Sequence, residues 1–193
     1  MRVLVQCHFS DLDYRIVHHD GPDRRGIDVA FLCRASLFQL YPDLTRPHTI
    51  VKCAPTRGIF EVYLTARANG AVLVLLGNHW PARSAGVYKS EPFRIMAAEQ
   101  CSVIVDQLRA QNDGVQLVVM GDFNDEPFNR SVREYLLAIR DEERVLSRRT
   151  RRPYLYNCTW RLMEEAAPGT YYHTEGETPW FMFDQVMVSP GLL

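Results

Sequence analysis

Two apolar runs on either side of an amphipathic helix constrain the fold of this chain most strongly. Residues 71–76 and 117–120 are apolar at every position, which is typical of strands buried on both faces of a sheet. Between them, apolar side chains recur at steps of four, three and four along one helix face, at Ala97, Cys101, Ile104 and Leu108. A strand, a helix and a strand in this order predict two parallel strands that end at the same edge of a sheet.

Polar side chains follow each of these strands. Asn78 and His79 come after the first strand, and Asp122 and Asn124 come after the second. Residues two apart in an extended segment project to the same side, so Asp122 and Asn124 are expected to face together. The parallel arrangement also predicts that His79 and Asp122 meet at one sheet edge. Such groups can hold a water and a phosphate oxygen, although an Asp-Glu-Pro sequence also favours a turn and a strand-end histidine can simply pack on Trp80.

Composition narrows the classes of function. The chain has 193 residues, of which 47% are hydrophobic, and this is enough for a sizeable core in one domain. The formal net charge of -1 gives no indication of a polyanionic partner. The five cysteines form no C-x-x-C pair, which argues against a zinc knuckle. No segment has the pattern of a signal peptide or a membrane span, so we expect a cytoplasmic protein without a membrane partner.

Further strands and helices are predicted around the central unit. Segments with the residue pattern of β-strands predict strands at residues 14–18, 27–33, 49–53 and 59–66. Asn69-Gly70 is a hairpin signal that joins the last of these to the first apolar strand. Ser90 is the candidate N-cap of the central helix, with Pro92 in its first turn. Two more helices are predicted, at residues 131–139 and 155–165.

The turn between the first two predicted strands carries candidate binding residues. Arg25 is suited to bidentate contact with phosphate, although arginines in a turn, such as Arg24 and Arg25, are more often solvated than functional. Asp28 either lines a site or caps the start of its strand. His18 and His19 suggest a metal site, but neighbours in a strand point to opposite faces, so they are poorly placed to ligate one ion together.

Two segments near the C-terminus suggest contact with nucleic acid. The arginine-rich segment 148–152 would suit a phosphate backbone, but a charge run this short is more often a solvated loop. Trp180, Phe181 and Phe183 lead into Asp184 and the strand that follows it. These aromatic residues are interpreted as core, with a platform for stacking a base as the alternative.

Four segments, taken in chain order, resemble the motifs of the endonuclease/exonuclease/phosphatase superfamily, the metal-dependent phosphoesterases related to DNase I. They are Arg24-Arg25-Gly26-Ile27-Asp28-Val29-Ala30, Asn78-His79-Trp80-Pro81, Gly121-Asp122-Phe123-Asn124-Asp125 and Phe183-Asp184-Gln185-Val186-Met187-Val188-Ser189. Four ordered matches are far more specific than any one of them. They look closest to the bacterial branch of the superfamily.

The resemblance implies a fold, an activity and a set of site residues. The fold is α/β (α+β), a DNase I-like sandwich of two packed β-sheets flanked by helices, in one domain over residues 1–193. The implied activity is metal-dependent hydrolysis of a phosphodiester by a nuclease or related phosphohydrolase. Asp122 would activate water, Asn124 and His79 would hold phosphate, and Asp184 would have an orienting role. Mg²⁺, or Mn²⁺, would bind at Asp122 and Asn124, and the substrate contacts would include Asn78, Arg25 and Asp28.

Two segments of the superfamily pattern have no counterpart in this sequence. They are the early strand with the metal-binding glutamate and the final Ser-Asp-His segment. The resemblance therefore predicts an incomplete domain, truncated at both ends. The alternative hypothesis is a catalytically inactive homologue that acts as a binding module. In either case the expected partner is a phosphate ester, with nucleic acid among the candidates.

Overall fold

The computed structural model describes residues 2–23, 25–50, 56–147, 154–164, 169–174 and 180–193. The described α-helices are α1 (Arg2–His8), α2 (Val87–Gln111), α3 (Glu142–Leu146) and α4 (Trp160–Glu164). The described strands are β1 (Tyr14–His18), β2 (Ala30–Arg34), β3 (Phe38–Leu40), β4 (Arg46–His48), β5 (Ile59–Ala66), β6 (Val72–His79), β7 (Gln116–Asp122), β8 (Ala138–Ile139), β9 (Leu155–Asn157), β10 (Tyr171–Tyr172), β11 (Trp180–Phe181) and β12 (Asp184–Val188). None of the helices described here is long and apolar enough to cross a membrane.

A large mixed sheet runs through the described part of the chain in the order β3-β5-β6-β7-β12-β9-β8, and β4 pairs with β5 as well. β6 and β7 are parallel neighbours, joined through α2, which confirms the predicted strand–helix–strand unit. β5 and β6 are antiparallel across the Asn69-Gly70 turn, as the hairpin signal predicts. β12 lies antiparallel to β7 on its other side.

Helix α2 covers one face of this sheet. Its buried residues, which include Ala97, Cys101 and Ile104, pack against inward-facing residues of β6 and β7. The rings of Trp80 and Phe123 meet edge to face in the same cluster, with their centroids 4.8 Å apart. The core on this side therefore extends beneath the polar ends of β6 and β7.

The antiparallel pair β1 and β2 forms a second sheet, which packs on the opposite face of the large sheet. Phe31 of β2 contacts a cluster that includes Phe60 and Val62 of β5. The two sheets approach closely at Gly77, where a Cβ atom would lie 2.5 Å from Cγ1 of Val29. Two packed sheets with helices outside them confirm the predicted α/β sandwich.

The central helix begins earlier than predicted, because Ser90 is not its N-cap. The helix starts at Val87, after Gly86. The Ser90 hydroxyl donates to the Gly86 carbonyl at 2.7 Å and accepts from Arg94 at 2.7 Å. The Ser90 side chain therefore forms its hydrogen bonds inside the start of the helix and does not cap it.

Each of the two later helix predictions is correct for only part of its length. Within residues 131–139 only Ser131–Tyr135 forms a helical turn, of the π type, and Leu137 beyond it adopts a positive φ of 61°. Residues 138–139 and 155–157 become the paired strands β8 and β9, and α4 begins only at Trp160. Tertiary strand pairing overrides the local helical pattern in both segments. Most of the strand predicted at 49–53 and the arginine-rich segment 148–152 lie outside the described residues.

Gly121 is predicted to be intolerant of any side chain. Its φ is +133°, and a Cβ atom there would lie 2.0 Å from the Asn78 carbonyl oxygen on β6. The backbone strain alone should lower the free energy of unfolding of Gly121→Ala by about 1–3 kcal/mol, and the clash adds to this. Urea denaturation measures the effect. Gly114→Ala is the control, because its Cβ would meet only Oδ1 of Asn112 at 3.5 Å. Equal stability of the two variants would contradict the prediction.

Candidate active site

Three titratable side chains stand in a row at one edge of the large sheet. In the parallel pair of β6 and β7, His79 lies opposite Asp122. In the antiparallel pair of β12 and β7, Asp184 also lies opposite Asp122. Residues directly opposite each other project to the same face, so the order across the sheet is His79, Asp122, Asp184. Nε2 of His79 lies 3.5 Å from Oδ2 of Asp122.

The row faces the second sheet rather than α2. Side chains alternate along a strand, and Leu75 of β6 and Met120 of β7 both pack with the β1–β2 cluster. Continuing this alternation by two residues at a time places His79 and Asp122 on the same face. Both side chains are half-buried. The site therefore lies where the second sheet meets the polar edge of the first.

The loop after β7 fixes the orientation of Asp122. The backbone N–H of Asn124 donates to Oδ1 of Asp122 at 2.8 Å. Asn124 has a positive φ of 48°, and its side-chain nitrogen donates to the Trp80 carbonyl at 3.0 Å. The two residues are thus in contact through the Asn124 backbone, but the segment is not extended at Asn124 as predicted, and the buried Asn124 amide bonds to Trp80.

Arg25 is held beside His79 by a chain of charged residues. The buried guanidinium of Arg57 donates to the carbonyls of His79, at 3.3 Å, and Trp80, at 3.0 Å, and to Oδ2 of Asp23 at 3.0 Å. Asp23 in turn accepts hydrogen bonds from the backbone and guanidinium of Arg25. Arg25 itself remains 61% exposed and is open to an anion. Arg24 lies outside the described residues.

Burial and neighbouring charges shift the pKa values of this site. Burial lowers the pKa of His79, and the positive charge of Arg25 lowers it further, against the opposing effects of Asp23 and Asp184. Burial raises the pKa of Asp122; the Asn124 N–H opposes this, and the negative charge of Asp184 adds to it. His79 is therefore largely neutral at neutral pH, and Asp122 is a stronger base than a solvated aspartate.

The match to a family sequence model agrees with this geometry. The model of the Endonuclease/Exonuclease/phosphatase family covers residues 2–193.

The chain belongs to the endonuclease/exonuclease/phosphatase family.

A search of curated protein sequences finds no match to the chain.

Solved structures of low identity share the fold. The human Nocturnin catalytic domain with bound sulfate is 17% identical, with a TM-score of 0.63, over 94% of this chain and 62% of that one. Truncated Caenorhabditis elegans TDP2 is 16% identical, with a TM-score of 0.63, over 97% and 65%. ANGEL2, a 2′,3′-cyclic phosphatase, is 10% identical, with a TM-score of 0.66, over 97% and 66%. The chain thus spans just under two thirds of each of these proteins.

Asn78 does not join the site, contrary to its predicted contact with substrate. It lies one residue before His79 and so points to the α2 face, where it is 2% exposed. Its amide nitrogen donates to the Leu76 carbonyl at 2.9 Å, and its oxygen accepts from the Trp80 indole at 2.9 Å. The side chain of Asn78 braces the core beneath the site.

The side chain of Asp28 also bonds to residues outside the row. Its Oδ1 accepts from the Gly21 backbone at 2.8 Å, and its Oδ2 lies 3.7 Å from Nε2 of His18. This closes the turn between β1 and β2, and the geometry gives no support to a substrate contact. Single ligand atoms of His18, Asp20 and Asp28 lie within 4.8 Å of one another. His18 is therefore grouped with two aspartates, and His19 is not part of the group.

The sequence analysis missed a buried charged cluster behind the site. Oδ1 of Asp125 accepts from Arg83 at 2.7 Å and lies 2.8 Å from Nε of Arg94, while Oδ2 accepts from Ser131. Arg83 also donates to the Asn124 carbonyl at 2.7 Å. These four residues pin the loop that carries Asn124. An isolated arginine has no sequence pattern that would reveal such a role.

The aromatic residues before Asp184 divide between core and surface. Phe183 is buried, whereas Trp180 on the β10–β11 hairpin is 40% exposed. The Thr170 hydroxyl accepts from the backbone N–H groups of Phe183 and Asp184, at 3.1 and 2.9 Å, and thus ties this hairpin to the site. The interpretation of these residues as core holds for Phe183 but not for Trp180.

The carboxylates of the row suit a divalent cation. Mg²⁺ is usually held in proteins by one or two carboxylates together with water and substrate phosphate. Asp122 and Asp184 supply two carboxylates on adjacent strands, and the charge of Asp184 raises the pKa of Asp122. This mutual repulsion is what a bound cation would relieve. The donor set therefore fits the metal expected for the family, with Asp184 as well as Asp122 as a candidate ligand.

Proposed function

We propose that this protein is a metal-dependent phosphoesterase that hydrolyses a phosphodiester. The observation that carries the proposal is the row of His79, Asp122 and Asp184 on one sheet edge, with the exposed guanidinium of Arg25 beside it. The row and Arg25 together supply a base, a hydrogen-bond donor and a positive charge, which attack of water on a phosphate requires. Family membership supports the same chemistry.

In this proposal Asp122 accepts a proton from the attacking water as the water oxygen bonds to phosphorus, while the P–O bond to the leaving group breaks and the leaving oxyanion takes up a proton from solvent. Its raised pKa brings it closer to neutrality, where a general base is most effective. The Asn124 N–H holds Oδ1, so Oδ2, on the side of His79, receives the proton. Neutral His79 donates a hydrogen bond to a non-bridging phosphate oxygen, and Arg25 offsets the negative charge of the phosphate. Asn124 assists in holding phosphate, and Asp184 orients its neighbours in the row.

Mg²⁺ is the proposed cofactor, with Mn²⁺ as a substitute, and Asp122, Asp184 and Asn124 are the candidate ligands. When bound, such an ion polarises the phosphoryl oxygens and stabilises the charge that develops on them. Hydrogen bonds within the protein orient two side chains of the site: Asn124 orients Asp122, and Asp23 orients Arg25.

Hydrolysis of bis-p-nitrophenyl phosphate tests the proposal. Purified protein should release p-nitrophenol when Mg²⁺ or Mn²⁺ is added. This release should stop when a chelator is added. The monoester p-nitrophenyl phosphate should be a poorer substrate. A folded protein with no turnover under any of these conditions would overturn the proposed activity and support the binding-module hypothesis.

A further inference from the structure

An arginine-lined cavity of about 410 Å³ lies beside the far strands of the large sheet. Its lining includes the exposed residues Arg133, Arg140 and Arg144 and the carboxylate of Asp141, and Arg140 also lies 3.9 Å from the exposed carboxylate of Glu164, so three arginines face two carboxylates. A cavity of this size admits a nucleotide-sized ligand. Guanidinium groups recognise phosphate through paired N–H donors, so the lining selects an anion.

Aromatic rings accompany these arginines. The Arg140 guanidinium carbon lies 5.0 Å from the ring centroid of Trp160, and that of Arg144 lies 4.5 Å from the ring centroid of Tyr154. Phe128, which is 43% exposed, has its ring centroid 6.4 Å from that of Trp160. The buried indole nitrogen of Trp160 has no hydrogen-bond partner among the residues that the structure describes. Interleaved guanidinium and aromatic groups are typical of surfaces that bind single-stranded nucleic acid.

The cavity lies along the same sheet edge as the candidate active site. β7, β12, β9 and β8 are successive neighbours, and β12 is antiparallel to both β7 and β9. The ends of β9 and β8 nearest Asp184 are therefore their C-terminal ends, which lead into Trp160 and Arg140. At about 4.8 Å per strand, β8 is roughly 14 Å from β7.

We propose that the arginine cavity, together with Phe128 and Trp160, binds a single-stranded nucleic acid whose scissile phosphate lies at Asp122 and His79. This inference rests on the proposed function and names its substrate class. A small phosphate ester cannot reach both places, whereas a polymer with a phosphate every few ångströms can. The exposed ring of Phe128 and the partly exposed ring of Trp160 can stack on unpaired bases, which favours a single strand over a duplex. The chain's net charge of -1 does not oppose this, since charges attract a strand only within about 10 Å.

The experiment measures binding of a fluorescently labelled DNA strand of about 12 nucleotides by anisotropy, with a chelator present to prevent turnover. Arg140→Ala/Arg144→Ala should weaken binding about tenfold and reduce the slope of log K against log salt by about 1.4, or about 0.7 for each lost phosphate contact. Arg140→Lys/Arg144→Lys should retain most of this slope, because the charges remain. The matched control is Arg15→Ala/Arg46→Ala, which removes two exposed arginines from β1 and β4.

Equal weakening by the control pair would overturn the inference, because binding would then reflect charge in general. Unchanged binding in the cavity variant would overturn it as well. Hydrolysis of bis-p-nitrophenyl phosphate by the same variants separates the two proposals. If the cavity variant loses oligonucleotide binding but hydrolyses the small diester like wild type, both proposals hold. If the wild-type protein binds the strand through the cavity but hydrolyses nothing, only the proposed activity fails.

Discussion

Asp125→Ala is expected to lower the free energy of unfolding by about 3–5 kcal/mol, because it leaves two guanidinium groups without their shared carboxylate in the protein interior. The Asp125 side chain is 3% exposed and the Arg94 side chain 1% exposed, so water cannot replace the lost partner at Arg94. Arg83 loses the same oxygen. The Ser131 hydroxyl loses its acceptor as well. Equilibrium urea unfolding of the purified variant measures the change.

Two further variants isolate the cause. Asp113→Ala removes an exposed carboxylate from the turn before β7 and should change stability by less than about 0.5 kcal/mol. Combining Asp125→Ala with Arg94→Leu removes the stranded buried charge and should recover part of the loss. A loss below 1 kcal/mol for Asp125→Ala alone would show that the buried cluster contributes little to stability.

The same cluster explains why the loop after β7 holds its shape. Arg83 bonds both Asp125 and the Asn124 carbonyl, and Gln185 of β12 donates to the Asp125 carbonyl at 2.6 Å. Asn124 is therefore kept in its left-handed conformation from both sides. Strain of this kind persists only where surrounding contacts enforce it.

Sequence alone predicted the strands that carry the row, because their signals are local and strong. Residues 71–76 and 117–120 are apolar throughout, and the helix between them requires a crossover. The meeting of His79 and Asp122 follows from that topology and is confirmed. The place of Asn78 could also have been found, since neighbours in a strand face opposite sides and only one of Asn78 and His79 can face the site.

What sequence could not supply comes from contacts between distant segments. Residues 155–157 look helical alone, yet they pair with β12 some thirty positions later. The roles of Arg57, Arg83 and Arg94 depend on carboxylates that are 34, 42 and 31 residues away. No periodicity links such partners, and each arginine by itself is most often solvated.

Asp122→Asn is expected to reduce kcat for bis-p-nitrophenyl phosphate by about 10²–10³-fold while leaving the protein folded. The amide keeps the shape of the side chain, and its oxygen can still accept from the Asn124 N–H, but it cannot take a proton from water. Removing a half-buried charge that faces Asp184 should leave the free energy of unfolding, measured with a chelator present, equal to or above that of wild type.

Loss of activity without loss of stability is the signature that separates a catalytic carboxylate from a structural one. Asp125→Ala is expected to show the reverse order, with stability lost first and activity lost as a consequence. Among the described residues the Asp122 carboxylate faces the titratable side chain of His79, and burial and the charge of Arg25 lower the pKa of this imidazole, so it is largely neutral at neutral pH. Burial and the charge of Asp184 raise the pKa of Asp122, so its ionised form is less favourable in the folded protein than in water. If Asp122→Asn hydrolysed the diester as fast as wild type, another group would have to be the base and the row would lose its assigned function.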